Sequence, residues 1–255
     1  MMKNFLISGT QRTGSSALAE ALGAHPSVAC GWEWTQHVPW TRKLEVAERA
    51  LAGDFSVLSR ADQVHMAQVF DRDRDWLGFR RLFRSSNKWL VHPRFSPALW
   101  ADRLEDHLAW LARRPDIHVI HVVRRDGVEW LKSKFVAEAT KAYWGKRYPQ
   151  VRVQIPPREA VARLRAKDWV DSRLATLASS NPYLRINYED LLADQETVIA
   201  EALRFLKCDP SAPPVRARRL HRQSTGTAAD YVTNLKELIA TLERRGLLMA
   251  QFDQS

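Results

Sequence analysis

Residues 7–22 read ISGTQRTGSSALAEAL, and the architecture of the chain turns on what this stretch is. Gly9 and Gly14 stand at the G-x-x-x-x-G spacing of a phosphate-gripping loop, in which backbone N–H groups cradle an anion. In the nucleotide-binding version the next residue is a lysine that reaches the β- and γ-phosphates. Here it is Ser15, and Arg12 stands inside the loop instead. A helix starting at about Ser15 aims free N–H groups and a positive dipole end at the loop. Gly14 permits close backbone approach, Ser15 and Ser16 add hydroxyl donors, and Arg12 adds a permanently charged fork suited to a tetrahedral oxyanion. The missing lysine, and the lack of an acidic strand end for magnesium, weigh against ATP or GTP hydrolysis. A serine that only caps a helix after a glycine turn is the plainer alternative.

Outward from the loop, strands and helices alternate. Asn4–Ser8 predicts a strand entering the loop, and Ser15–Gly23 a helix with Leu18, Ala21 and Leu22 on one face. Gly23 suits that helix's C-terminus. Lys88–Val91 reads as a short apolar strand. IHVIHVV at 117–123 is the clearest strand, followed by Arg-Arg-Asp-Gly and a helix over Val128–Ala137. A long helix over about Glu159–Ala178 ends before Pro182, and Tyr183–Asn187 forms the next strand. Helices over Gln195–Leu206 and Val232–Arg245 complete the run. The pattern predicts an α/β fold, a central parallel sheet flanked by helices. Residues 40–85 read as charged helices, and 138–160, with YWGKRYP and the Pro156-Pro157 pair, as an insertion. Both are expected as insertions above the sheet, where substrate pockets of open α/β folds lie. No repeat, low-complexity tract or linker interrupts the chain, so residues 1–255 are expected to form one domain.

Composition sets outer bounds. With 255 residues and 45% hydrophobic content the chain can bury a full core, which excludes global disorder. A net charge of +10 favours acidic partners. The basic clusters RRLFR at 80–84 and RARR at 216–219 lack the interleaved aromatics of a nucleic-acid groove, and read as solvated surface. Cys30 and Cys208 offer neither a metal-ligand spacing nor a disulfide framework, which suits a reducing, cytoplasmic setting. The apolar run in MMKNFLISG is too short for a signal peptide or a membrane span, so no stable membrane insertion is expected.

Several stretches resemble the sulfotransferases that use 3′-phosphoadenosine 5′-phosphosulfate (PAPS). Arg12-Thr13-Gly14-Ser15-Ser16-Ala17-Leu18 is similar to the family's 5′-phosphosulfate loop. Arg125, at a strand end with Ser133 eight residues on, is similar to its 3′-phosphate motif. Tyr188-Glu-Asp-Leu-Leu resembles a segment whose tyrosine contacts the adenine in several members. The resemblance runs through residues 4–37, 86–95, 117–137 and 183–210. It implies a P-loop-like sulfotransferase architecture in which Arg12, Thr13, Gly14, Ser15, Ser16, Ala17, Arg125, Ser133 and Tyr188 bind the donor. Physically, PAPS has two anionic centres and the sequence offers two arginine-bearing strand ends. Ser133 lies about two turns into the helix after Arg125, so the two would share one phosphate only if the segment between them folds back. Asp126 also suits the helix N-terminus.

The same resemblance implies the catalytic groups. AHPSVACGWEW at 24–34 is similar to the stretch that supplies a catalytic glutamate in protein-tyrosine and some bacterial carbohydrate sulfotransferases, which maps to Glu33. A carboxylate between Trp32 and Trp34 in a partly dry pocket would hold its proton more tightly, as a general base for a hydroxyl requires. His37 is the rival base, because cytosolic small-molecule sulfotransferases use histidine. His25, before Pro26, reads as structural. Lys88, in NKWL at 87–90, resembles the lysine near the donor's bridging oxygen. With Arg12 it would neutralise charge on the leaving phosphate. No metal is expected, and the product is the 3′,5′-bisphosphate PAP. The acceptor is expected to be a hydroxyl on a carbohydrate, lipid or aromatic molecule, since ten tryptophans and five tyrosines stack equally well on sugars and rings.

The family's C-terminal basic-glycine motif has no clean match; QSTGT at 223–227, after Arg222, is nearest. ADYVTNL at 229–235 looks more like bacterial lipopolysaccharide- and trehalose-type members. Two readings from other classes stand beside this one. A P-loop kinase or NTPase would bind ATP with magnesium. A non-catalytic binder of nucleic acid or polyanionic glycan would lose affinity steeply with salt.

Overall fold

A computed structural model describes residues 3–31, 42–52, 54–58, 63, 76–83, 97–142, 150–213 and 226–248. The strands among the described residues are β1 (Lys3–Thr10), β2 (Val28–Gly31), β3 (Trp76–Phe83), β4 (Ile117–Val123) and β5 (Tyr183–Asn187). They pair in the order β2-β3-β1-β4-β5, and every pairing is parallel. Parallel strands need crossovers, and a sheet built this way must be covered on both faces. The side-chain alternation of the strands meets that demand. Leu6, Ala29, Ile117 and Val119 bury one face against Leu104, Leu108, Leu111, Val170 and Leu174. Phe5, Ile7, Ile120, Val122 and Ile186 bury the other against Leu18, Leu22, Val198, Ile199 and Leu203.

The helices that position the site are α1 (Ser15–Leu22), α2 (Lys43–Leu51), α3 (Pro97–Ala112), α4 (Gly127–Thr140), α5 (Pro157–Ala175), α6 (Tyr188–Ala193) and α7 (Gln195–Phe205). Two more, α8 (Ala228–Tyr231) and α9 (Leu235–Arg244), pack Ala228, Val232, Leu238 and Leu242 against Trp130 and Leu131 of α4. No helix among the described residues is long and apolar enough to cross a membrane.

Two expectations need correction, and one strand was not foreseen. The stretch 40–85 is not helical throughout: Trp76–Phe83 is a strand between β1 and β2. Its adjacent arginines, Arg80 and Arg81, break the apolar alternation that marks a strand. The four residues of β2 were too few to register beside the tryptophan-rich segment that follows. The expected helix over Val232–Arg245 starts only at Leu235, because Asn234 exchanges side-chain hydrogen bonds with the Ile155 backbone, donating at 2.9 Å and accepting at 3.0 Å. Val232 therefore stays extended and bridges to Val153. The other helices sit within a few residues of expectation; the 159–178 helix becomes Pro157–Ala175 followed by a 3₁₀ turn over Thr176–Ser179. The strand expected at Lys88–Val91 lies outside the described residues, as does YWGKRYP.

Candidate active site

In the order β2-β3-β1-β4-β5 the chain runs one way from β1 to reach β2 and β3, and the other way to reach β4 and β5. The C-terminal ends of β1 and β4 therefore flank a topological switch point, where open α/β sheets leave a crevice. Gln11–Gly14 leaves β1, Arg124–Asp126 leaves β4, and Tyr188 follows β5 directly.

The loop after β1 is shaped by its two glycines. A Cβ on Gly9, at φ 155°, would lie 2.4 Å from the Val122 carbonyl of β4, so only glycine lets these strands approach. Gly14 adopts φ 80° as the N-cap of α1 and has no side chain to cap it with. The first turn of α1 thus presents main-chain N–H groups at the loop, with Ser15 buried at its start. The plainer alternative of a serine cap does not describe this terminus. Thr13 is buried and turns inward, its hydroxyl donating to the Thr10 carbonyl at 2.9 Å. Ser16 and Ala17 follow in the same first turn, both part-exposed. Arg12 takes φ 69°, an uncommon conformation for a residue with a side chain.

Four contacts hold that turn. Arg12 Nε donates to Ser133 Oγ at 3.1 Å, and Arg124 Nη1 donates to the Arg12 carbonyl at 3.4 Å. Trp130 Nε1 donates to the Gln11 carbonyl at 2.8 Å, and Lys134 Nζ to Gln11 Oε1 at 2.5 Å. Residues 130, 133, 134 lie three and four apart, so one face of α4 grips the loop.

Arg124 and Arg125, neighbours in sequence, have different surroundings. Arg124 is 6% exposed and stacks over the Tyr188 ring, 4.5 Å from its centroid, with Glu129 at 3.6 Å. Burial lowers its pKa from the ordinary guanidinium value, opposed by attraction to Tyr188 and Glu129. Its Nε is buried with no hydrogen-bond partner among the described residues, as are the hydroxyls of Ser8 and Thr10 at the end of β1. Arg125 is half exposed, and its Nη2 pairs with Asp190 at 2.8 Å. Its main-chain N–H and that of Asp126 both donate to Glu189. Asp126 caps α4 by accepting from the Glu129 N–H at 2.8 Å. Tyr188 closes the arrangement: a Cβ on Gly14 would lie 2.5 Å from its ring.

Arg12, Thr13, Gly14, Ser15, Ser133 and Tyr188 thus converge at neighbouring strand ends, while Arg125 stands at the same strand end turned to acidic partners. Glu33, His37 and Lys88 lie outside the described residues, as do Trp32, Trp34 and residues 221–225. The sequence reading missed Gln11, Arg124, Trp130 and Lys134. The doubled arginine was the visible signal for Arg124, but the serine spacing drew the assignment to Arg125. Nothing in a single sequence marks Trp130 or Lys134 as loop contacts.

A family model described as the sulfotransferase family matches residues 4–211. The chain belongs to that family. Among solved structures this sulfotransferase is similar to one from Alicyclobacillus acidocaldarius, at 17% identity over 98% of this chain and 96% of that one, with a TM-score of 0.48. It is similar also to the sulfotransferase domain of the Synechococcus PCC 7002 olefin synthase, at 14% identity over 100% and 90% of the chains, TM-score 0.44. A sulfotransferase from Mycobacterium tuberculosis H37Rv is 16% identical over 96% and 76%, TM-score 0.46. No curated protein matches the chain.

Proposed function

We propose that this enzyme moves a sulfuryl group from PAPS to a hydroxyl on a carbohydrate or other small-molecule acceptor, in line and without a metal. The observation that carries the reading is the Arg12–Ser133 contact, which joins the two motifs read as holding the donor's anionic groups. The residues fit such a donor. A glycine-cornered loop at a helix N-terminus accepts an oxyanion, and the unused donor of buried Arg124 beside it offers a further charge-assisted hydrogen bond. The donor brings an activated sulfuryl group whose transfer leaves a phosphate.

Arg12 with the N–H groups of residues 13–16 and the hydroxyls of Ser15 and Ser16 would hold the 5′ end, Arg125 would meet the 3′-phosphate, and Ser133, bound to Arg12, would serve between them. Tyr188, packed on Gly14 and under Arg124, would meet the adenine at its remaining edge. Arg12 and Lys88 stabilise charge as the bond from sulfur to the bridging oxygen breaks. Glu33 takes the proton from the acceptor oxygen as that oxygen bonds to sulfur, with His37 the alternative base. Products are a sulfate ester, PAP and a proton. The whole chain acts as one domain in this scheme, working in the cytoplasm.

Calorimetry tests it. PAP should bind without magnesium and far more tightly than AMP or ATP, and mass spectrometry of an acceptor panel with labelled donor should find a sulfated product. Equal binding of ATP, strengthened by magnesium, would instead establish a kinase or NTPase.

A further inference from the structure

Gln11 is held at both of its oxygens by one face of α4. Its carbonyl accepts from Trp130 Nε1 and its side-chain oxygen from Lys134 Nζ. Trp130 is fully buried and Lys134 is 4% exposed. An ammonium so far out of water needs a counter-charge. Glu138, one turn along α4, supplies it at 3.8 Å. Glu138 is itself gripped by both arms of Arg163 on α5, at 3.0 and 2.9 Å, and Arg163 also pairs with Glu159. A line of alternating charge therefore runs from α5 through α4 to the loop, and ends on a neutral amide.

The residue after that amide is Arg12, in its left-handed turn. Such a conformation persists only where its surroundings over-determine it. From that turn the Arg12 side chain reaches Ser133 and its carbonyl reaches Arg124. We propose that Lys134, acting through Gln11, is a positioning residue of the donor loop. It holds the turn that aims Arg12, and so sets affinity for the donor's 5′ end without touching it. The second half of this statement rests on the PAPS reading; the first does not.

The experiment compares wild type, Lys134→Met, Gln11→Leu, the double variant and Gln11→Glu as full chains. Two quantities are read: hydrogen exchange of the residue 11–16 amides without ligand, and PAP affinity by calorimetry. Each single change should speed loop exchange and weaken PAP about tenfold, the low end for a lost hydrogen bond to a charged group. The double variant should be no worse than either single, since both remove one contact. Gln11→Glu, whose carboxylate accepts from Lys134, should stay within about threefold of wild type. A Lys134 that serves only to hold the helices together would show no such coupling to Gln11 and no rescue. Independent effects that multiply in the double variant, or unchanged loop exchange in both singles, overturn the proposal. If wild type binds no PAP, the donor reading fails, and the exchange data alone decide on the clamp. If Lys134→Met does not fold, Gln11→Leu and Gln11→Glu decide it: loosening by the first and not the second supports the clamp, and equal behaviour overturns it.

Discussion

Arg12 Nε and Ser133 Oγ lie 3.1 Å apart although 121 positions separate them in the chain. The contact exists because β1 and β4 are neighbours in the sheet, so the loop leaving one faces the helix that follows the other. Ser133 is carried about 9 Å along α4 from Gly127 at 1.5 Å per residue, which brings it under the loop. The segment between Arg125 and Ser133 does not fold back; α4 is regular over that span. Ser133 thus stands between the two proposed anion sites. Ser133→Ala is expected to weaken PAP by ~0.5–1.5 kcal/mol, the cost of a neutral hydrogen bond. Arg12→Ala should cost more, ~1.5–3 kcal/mol, because a charge is lost. Calorimetry separates the two.

Arg125 has a partner to leave before it can grip a phosphate. Its ion pair with Asp190 joins two half-exposed side chains, an arrangement worth ~0.2–1 kcal/mol. Arg125→Ala should lower PAP affinity by ~1.5–3 kcal/mol and barely change that of an analogue lacking the 3′-phosphate. Asp190→Asn should act oppositely, tightening PAP by a few-fold, since it releases Arg125 and removes a repelling carboxylate. Weaker binding by Asp190→Asn would mean that the carboxylate orients Arg125 toward the ligand.

Gly14 offers a test that needs no donor. An alanine Cβ there would lie 2.5 Å from Tyr188 Cδ2 and 2.9 Å from Cε2, at a φ of 80°. The left-handed backbone alone costs a residue with a Cβ ~1–2 kcal/mol, and displacing the ring adds to it. Gly14→Ala should lower unfolding free energy by ~2 kcal/mol or more in urea titration. Gly14→Ala with Tyr188→Ala would remove the clash and keep the backbone cost, so the two changes should be less than additive. Full additivity would contradict the packing of Tyr188 on the loop.

The parts of the fold that could be read from sequence were those whose signal is local. β1, β4 and β5 carry apolar runs bounded by turns, and the two ends of Ile117–Val123 and Tyr183–Asn187 coincide with the expected ones. β3 escaped because a central strand's arginine pair looks like surface, and β2 because four residues carry no period. The candidate site followed the same rule. Gly9, Gly14 and Arg12 lie within one loop and announce themselves. Arg124 is distinguished from Arg125 only by a strand exit that turns one inward over Tyr188 and the other out to Asp190. Lys134 and Trp130 meet Gln11 across more than a hundred residues, a pairing that only the packed sheet creates.

His118 sets a pH dependence unrelated to catalysis. It lies in β4 edge-on to Phe205, at 5.2 Å between ring centres. Burial is the main cause that lowers its pKa below 6.5, with Lys207 and Lys3 adding repulsion and the Asp116 backbone opposing. The neutral form is therefore favoured in the folded protein, and the unfolded chain binds the proton more readily. Stability from this group is complete above the unfolded value of 6.5, and falls as pH drops below it toward the folded pKa. Melting temperatures of wild type should decline more between pH 7.5 and 5 than those of His118→Phe, which keeps the ring contact and cannot charge. Parallel declines would show that His118 protonates equally in both states.

The last prediction concerns the proton. A sulfuryl acceptor must lose one as its oxygen bonds to sulfur, and Glu33 is proposed to take it. A general base contributes ~10²–10⁴-fold to rate, about 2.7–5.5 kcal/mol of barrier. Glu33→Gln keeps shape and hydrogen bonding but cannot accept the proton, so turnover should fall into that range while PAP affinity stays near wild type. His37→Ala should cost far less if that ring only lines the pocket. Acceptor acidity provides an internal check. An alcohol holds its proton tightly and should suffer the full loss, whereas a phenol is already nearer ionisation and should suffer less. Steady-state rates for both acceptors with both variants distinguish the bases. Loss of turnover in His37→Ala with Glu33→Gln intact would reverse the two roles, and indifference to both would place the base outside residues 24–37.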